Sequence, residues 1–147
     1  MDKVTGLHPK LITAATHTVT EAKARGLIVA IHSGLRTAEE QEKLYAKGRT
    51  IEGDIVTNSK AFDSWHNYGL AVDIVFKDEK GNFTWNKKLS DWEDLGKVGE
   101  LFGLEWGGRW KKFPDFPHFQ LRGSFKTVAD AKKILMEKGI DSVWELI

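Results

Sequence analysis

Hydrophobic residues recur at helical spacing in several stretches of the chain, and local signals mark where the helices begin and end. In residues 9–25 the apolar positions share one face, Pro9 suits a first turn, and Gly26 follows the end. A second helix opens with a capping box formed by Thr37 and Glu40. These signals predict two helices in the first third of the chain.

Two further helices are predicted in the second half. One is expected to start at Ser90, with Glu93 three residues later, and to end before Gly103. The other covers residues 127–139, where the apolar residues on one side are Val128, Ala131 and Leu135. This last pattern is that of an amphipathic helix.

Runs rich in β-branched and apolar residues predict strands at residues 27–34 and 70–76. Residues 77–82 have the composition of a hairpin turn, and shorter candidate strands lie at 104–108 and 118–122. The helices fall at the start, middle and end of the chain, and the strands pair across them. This order predicts an α+β fold with a small, mainly antiparallel sheet and helices packed around it.

Composition and charge narrow the class of protein. A chain of 147 residues, 41% hydrophobic and 29% charged, fits one globular domain covering residues 1–147. The formal net charge is +1 and is spread along the chain, so we expect no nucleic-acid partner and no membrane insertion. Because cysteine is absent, a metal site would have to use His, Asp or Glu. No apolar segment has the length of a signal-peptide core or of a membrane-spanning helix, so we expect no export signal.

Two polar residues interrupt the pattern around the second strand. Asp73 shares a face of the strand with Ala71 and Val75, and His66 precedes the strand. A buried carboxylate is costly unless a positive or hydrogen-bonding group meets it. A lone Asp of this kind is more often structural, and a lone histidine is more often a satisfied polar residue than a metal ligand.

A second stretch, "FPDFPHFQL", changes that balance. It places Asp115 three residues before His118, and its prolines favour extended geometry at Phe113 and Phe116, which excludes a helical pair of ligands. Two histidines and one aspartate supply three nitrogen and oxygen ligands, the pattern of a catalytic zinc site at the sheet with a fourth position open for water. Asp115 then remains near the metal as a general base.

The motifs also resemble those of a known family. "SWHNYGLAVD" fits the S-x-H-x-x-G-x-A-x-D motif of the zinc D-alanyl-D-alanine carboxypeptidase and dipeptidase superfamily. With "SGLRT", "YAKGRT" and "WGGRWKKFPDFPHFQ", the chain is most similar to the phage endolysin L-alanyl-D-glutamate peptidases. The similarity runs from about Leu27 to Gln120.

The resemblance implies one Zn²⁺ per chain and a role for each motif residue. His66, Asp73 and His118 are the implied zinc ligands, Asp115 is the implied general base, and Arg36 is the implied electrostatic stabiliser. Zinc lowers the pKa of a water ligand to about 7 in well-studied enzymes, so a nearby carboxylate can take its proton. Arg36 has the planar fork that suits an oxyanion or a substrate carboxylate.

Other positions are open to two interpretations. Many dipeptidase and carboxypeptidase relatives have Glu where Asp115 stands, and the Asp is typical of the endolysin branch. Gln120 stands where close relatives can carry Glu, and the sequence does not explain this difference. Aromatic residues near the motifs are candidates for either substrate binding or core packing: Tyr68, Trp106 and Trp110. Histidines without a partner at ligand spacing are expected to be structural or exposed: His8, His17 and His32.

The resemblance implies a peptidoglycan hydrolase, a zinc endopeptidase that cuts the L-Ala–D-Glu bond of stem peptides during host lysis. It would be made in the host cytoplasm, pass the membrane through a phage holin, and act on the cell wall. We predict a monomer with no separate wall-binding domain. Two alternatives remain: a D-alanyl-D-alanine carboxypeptidase of the same superfamily, and a non-catalytic wall-binding module. In the second alternative the zinc is structural, although structural zinc usually has four protein ligands.

Overall fold

Within residues 3–147, the part of the chain that the computed structural model describes, five short strands form one sheet. The strands are β1 Val29–Ser33, β2 Ala71–Lys77, β3 Phe83–Thr84, β4 Glu105–Trp106 and β5 His118–Gln120. Their order is β1-β2-β5-β4, with β3 paired to the far end of β2, and every one of these pairings is antiparallel. The predicted α+β class with a small antiparallel sheet is therefore confirmed.

The helices lie around this sheet. Those predicted near the start, the middle and the end are present, and a short one follows the last of them. Single 3-10 turns occur at Trp65–Tyr68 and Gly107–Arg109. The helices are α1 Pro9–Ala24, α2 Ala38–Ala46, α3 Leu89–Leu101, α4 Val128–Lys138 and α5 Ile140–Trp144. No helix within residues 3–147 has both the length and the apolar character needed to cross a membrane.

The ends of α1 and α2 follow from their sequences. Pro9 begins α1, and the ring nitrogen Nδ1 of His8 accepts a hydrogen bond from the backbone of Lys10 at 3.1 Å. In α2 the predicted capping box is confirmed, since Thr37 and Glu40 each bond the other's backbone N–H at 3.1 Å. Both helices therefore begin where a polar group satisfies their first N–H donors.

The start of α3 differs from the prediction. The helix begins at Leu89, and Lys88 precedes it without a side-chain cap bond, so Ser90 is already the second helical residue. The Ser90–Glu93 spacing imitates a capping box but lies inside the first turn. The short α5 and the two 3-10 turns were not predicted, because three to five residues are too few to show a hydrophobic period.

Two groups of buried residues hold the helices to the sheet. The larger one joins α1 and α3 to the strands, and its β2 members include Val72, Ile74 and Phe76. The smaller one lies beneath α4 and α5 and contains Tyr68 and Ala131. Strand β2 is therefore covered on both sides, which explains why its sequence is almost continuously apolar.

Candidate active site

The candidate site lies where β2 is flanked by β1 and β5. Asp73 of β2 stands opposite Ser33 on β1 and opposite His118 on β5. The 3-10 turn just before β2 brings His66 to the same place. One ligand atom from each of His66, Asp73 and His118 lies within 4.8 Å of the others. The fold thus brings together the three residues predicted as zinc ligands.

Local backbone geometry fixes the position of His66. The hydroxyl of Ser64 accepts a hydrogen bond from the His66 N–H at 3.3 Å and begins the turn. Gly69 ends it with φ +68°, and a Cβ there would approach the carbonyl oxygen of Gly6 to 2.5 Å. Only glycine suits this position without displacement. The motif serine and glycine therefore shape the turn that presents the histidine.

Each histidine donates one ring N–H to the protein and turns its other nitrogen towards Asp73. His66 Nδ1 donates to the carbonyl of Gly34 at 2.9 Å, which leaves Nε2 3.4 Å from Asp73 Oδ1. His118 Nε2 bonds Gln120 Oε1 at 2.7 Å, which leaves Nδ1 3.7 Å from the same oxygen. Such bonds fix the tautomer and orientation of histidines that ligate metals.

The Asp73 carboxylate supports a metal at this position. Its Oδ2 accepts a hydrogen bond from the Ser33 hydroxyl at 2.8 Å, whereas Oδ1 is buried without a hydrogen-bond partner among the described residues. Burial, the largest single effect, raises the pKa of Asp73, but His118 and His66 together hold it well below its usual range. An ionised oxygen facing two imidazole nitrogens is a donor set that fits Zn²⁺.

Asp115 is held beside this group by its backbone. Its N–H donates to the carbonyl of Gly107 at 3.0 Å, and a Cβ on Gly107 would approach the Asp115 carbonyl oxygen to 2.5 Å. The residue is exposed overall, but its carboxylate lies in a concave wall. Burial removes the carboxylate from water, which is the largest effect and raises the pKa of Asp115, while the nearby His118 opposes the rise. A raised pKa suits a general base that works near neutral pH.

The expectation of extended geometry at Phe113 is wrong. The residue adopts φ +51°, in the left-handed region, and its side chain is 80% exposed. The tight bend that returns the chain from the second 3-10 turn to Asp115 takes precedence over the local effect of Pro114. The segment before His118 is not helical, as predicted.

Arg36 lies at the wall of the same cleft and is half-buried. Its Nη1 donates to Oε1 of Gln41 at 2.9 Å, and Gln41 in turn donates to the carbonyl of Ser59 at 2.6 Å. Gln41 is fully buried, a role its place in a charged helix did not reveal. It anchors the guanidinium, whose five N–H donors exceed what one amide oxygen can accept.

Arg36 and Asp115 line a cleft of about 650 Å³ together with the three proposed metal ligands. One wall is the irregular segment after α2, with exposed Ile55 and Val56, and the other is the segment 110–115 with Lys112. His66, Asp73 and His118 form its floor. The cleft is open and carries apolar and cationic groups, which suits an extended peptide bearing carboxylates.

Comparison with known proteins agrees with this geometry. Residues 57–121 match an M15 peptidase family described as D-alanyl-D-alanine carboxypeptidase. The chain is 37% identical over 122 residues to the peptidoglycan L-alanyl-D-glutamate endopeptidase CwlK of Bacillus subtilis, covering 78% of this chain and 73% of that protein. The chain belongs to the M15 peptidase family. The family match contains His66, Asp73, Asp115 and His118, and it includes strands β2 and β5.

Other similar proteins extend the comparison. The L-alanyl-D-glutamate peptidase of Listeria phage A118 is 31% identical over 115 residues, which is 73% of this chain but only 35% of the phage protein. The crystal structure of the L-Ala D-Glu endopeptidase ChiX of Serratia marcescens superposes with a TM-score of 0.64 at 25% identity, covering 81% of this chain and 83% of that one. The D,D-pentapeptidase VanY, solved with Zn(II), shares the fold at 17% identity and a TM-score of 0.58.

Of the aromatic residues considered for substrate binding, one lines the cleft of this M15 peptidase. Trp110 lies there, with its ring centroid 5.0 Å from that of His118. Trp106 is 2% exposed and donates to the carbonyl of Phe116 at 2.7 Å, and Tyr68 is 1% exposed, so both belong to the core. Large aromatic residues beside a motif give the same sequence signal whether they pack inward or face solvent.

Replacing these two tryptophans separates core packing from substrate contact. Trp106→Ala is expected to lower the free energy of unfolding by about 3–5 kcal/mol, because it removes a fully buried ring. Trp110→Ala should leave the melting temperature near wild type and weaken peptide binding, seen as a raised KM. Thermal unfolding and steady-state kinetics on both variants test this. A stable Trp106→Ala protein with a raised KM would contradict it.

Proposed function

We propose that this M15 peptidase is a zinc-dependent L-alanyl-D-glutamate endopeptidase that hydrolyses peptidoglycan stem peptides. The observation that carries the proposal is the buried Asp73 Oδ1, which has no hydrogen-bond partner among the described residues and faces one nitrogen each of His66 and His118 at the floor of an open cleft. The bond assignment is supported by two curated relatives and a solved structure that are named for L-alanyl-D-glutamate cleavage.

The residues of the chain divide the work of amide hydrolysis. Bound Zn²⁺ would supply Lewis acidity, activating water and polarising the scissile carbonyl. Asp115 accepts the proton of the attacking water and returns it to the leaving amine, which is the pairing of steps that one carboxylate of raised pKa can perform. Arg36, anchored by Gln41, donates hydrogen bonds to the developing oxyanion or to a substrate carboxylate.

The cleft fits the D-Glu residue of a stem peptide. This residue carries a free carboxylate beside the bond to be cut, and Arg36 and Lys112 place positive charge in the cleft walls. The exposed apolar side chains of Val56 and Phe113 offer contact surface on either side. Recognition then combines a charge-assisted hydrogen bond with apolar contacts along the peptide.

A role as an endolysin is part of the proposal. It is supported by the phage relative, although this chain spans about a third of that protein. Release through a holin would follow from that role, and we propose separately that residues 1–147 form a single catalytic domain. The rival with a structural metal has less support, because the metal group is made of three residues and forms the floor of a cleft.

Product analysis distinguishes the proposed bond from that of the D-alanyl-D-alanine carboxypeptidase alternative, which the family description favours. A synthetic stem pentapeptide with L-Ala–D-Glu at one end and D-Ala–D-Ala at the other contains both bonds. We expect cleavage to create a new N-terminal D-Glu without free D-Ala, as read by mass spectrometry. Chelator-treated protein is the control. Free D-Ala as the main product would establish the carboxypeptidase instead.

A further inference from the structure

A chain of hydrogen bonds extends from His118 away from the cleft. His118 Nε2 bonds Gln120 Oε1 at 2.7 Å, Gln120 Nε2 donates to Glu105 Oε2 at 3.0 Å, and Arg122 Nε donates to the same oxygen at 2.6 Å. Gln120 is 5% exposed, and it faces Glu105 as a cross-strand pair between β5 and β4. Sequence reasoning had no account of Gln120.

The donors and acceptors of this chain permit one arrangement. Arg122 can only donate, and an ionised Glu105 can only accept, so the amide nitrogen of Gln120 must face Glu105. The amide oxygen then faces His118, whose Nε2 must carry the proton. In the neutral ring the lone pair is then left on Nδ1, the nitrogen that points to Asp73. The charged pair thus determines which nitrogen of His118 is available.

We propose that Gln120, oriented by Glu105 and Arg122, is a positioning residue that fixes the His118 tautomer and thereby sets the metal affinity of the site. The proposal rests on the proposed function in assuming that His118 ligates the metal. Partners that orient metal-binding histidines typically change metal affinity by about 10–100-fold when they are removed. Gln120 acts through the imidazole and touches neither substrate nor metal.

The pairing also explains why position 120 is an amide. A glutamate there would place a second carboxylate about 3 Å from Glu105, and like charges at that distance disfavour each other strongly. An exchange of the two side chains keeps the polarity of the chain, because a carboxylate at position 120 would accept from His118 and an amide at position 105 would donate to that carboxylate. The exchange therefore tests whether the direction of these hydrogen bonds, and not the identity of either side chain alone, sets the zinc affinity.

The experiment measures zinc affinity by competition with a chromophoric chelator. Gln120→Leu, which removes the acceptor but keeps an apolar body of similar size, should weaken zinc binding about 10–100-fold. Gln120→Glu alone should also weaken it, and the double variant Gln120→Glu with Glu105→Gln should recover most of the loss. Glu100→Gln, which removes a carboxylate from the separate pair with Arg109, is the matched control and should bind zinc like wild type.

A second measurement needs no metal. In ¹⁵N spectra of the metal-free protein, at a pH where the ring is neutral, His118 should carry its proton on Nε2 in wild type and show mixed tautomers in Gln120→Leu. Wild-type zinc affinity and an unchanged tautomer in Gln120→Leu would overturn the inference. If wild type itself binds no zinc, the proposed function is wrong, and so is the inferred effect of Gln120 on zinc affinity. The ¹⁵N spectra would still show whether Gln120 fixes the His118 tautomer.

Discussion

His118→Ala is expected to lose bound zinc and hydrolysis together. The variant removes one of the three proposed nitrogen and oxygen ligands and leaves Asp73 Oδ1 facing His66 alone. Zinc should raise the melting temperature of wild type, since a ligand that binds only the folded state stabilises it, and should not raise that of the variant. Metal content after dialysis, melting curves with and without zinc, and peptide hydrolysis provide the three readings.

A histidine outside the site is the control. His17 lies on α1 and packs against Phe102, with ring centroids 5.4 Å apart. His17→Ala should keep one zinc per chain and full hydrolysis. Stoichiometric zinc together with wild-type turnover in His118→Ala would show that the site is not the one described. Chelation of wild type should likewise abolish hydrolysis, and added zinc should restore it.

The parts of the fold that sequence analysis predicted correctly are those with a local cause. The face of α1, the capping box of α2 and the apolar run of β2 each depend on residues a few positions apart. The error at Ser90 has the same origin, because a local pattern matched a cap that the helix does not use. Local patterns therefore predict the presence of a helix or strand more reliably than the residue at which it begins.

The sequence indicated the central residues of the site through motif spacing, but it did not indicate the residues that support them. Its motif spacing indicated His66, Asp73 and His118, and the antiparallel register of β2 with β5 brings the last two together. Their supporting partners come from tertiary contacts that no spacing reveals. Ser33 reaches Asp73 after an irregularity in β1, and Gln41 reaches Arg36 from the buried side of a helix that reads as charged.

Burial was the least predictable property. Trp106 and Trp110 are four residues apart and flank the same glycines, yet one is in the core and the other in the cleft. The 3-10 turn between them rotates the chain, and a turn of three residues has no hydrophobic period by which it can be predicted. The distinction between packing and recognition therefore depended on the structure.

Asp115→Asn is expected to reduce turnover by roughly 10²–10⁴-fold while zinc content and melting temperature stay near wild type. An amide of the same shape cannot take the proton of water. The contacts that hold the residue are made by its backbone, with the N–H on Gly107 and the carbonyl accepting from the His118 N–H at 3.3 Å. Asparagine keeps both, so a loss of activity would report on the carboxylate and not on the turn.

The control and the contrary outcomes make this test decisive. Asp91→Asn alters a carboxylate on α3 that pairs with Lys87 at 3.8 Å and should leave turnover unchanged. If Asp115→Asn lowers the melting temperature but each folded molecule works normally, the residue only stabilises the turn. If it loses zinc as severely as His118→Ala, Asp115 is a fourth ligand. That result would favour a closed, structural metal site, because a catalytic zinc needs a position open to water.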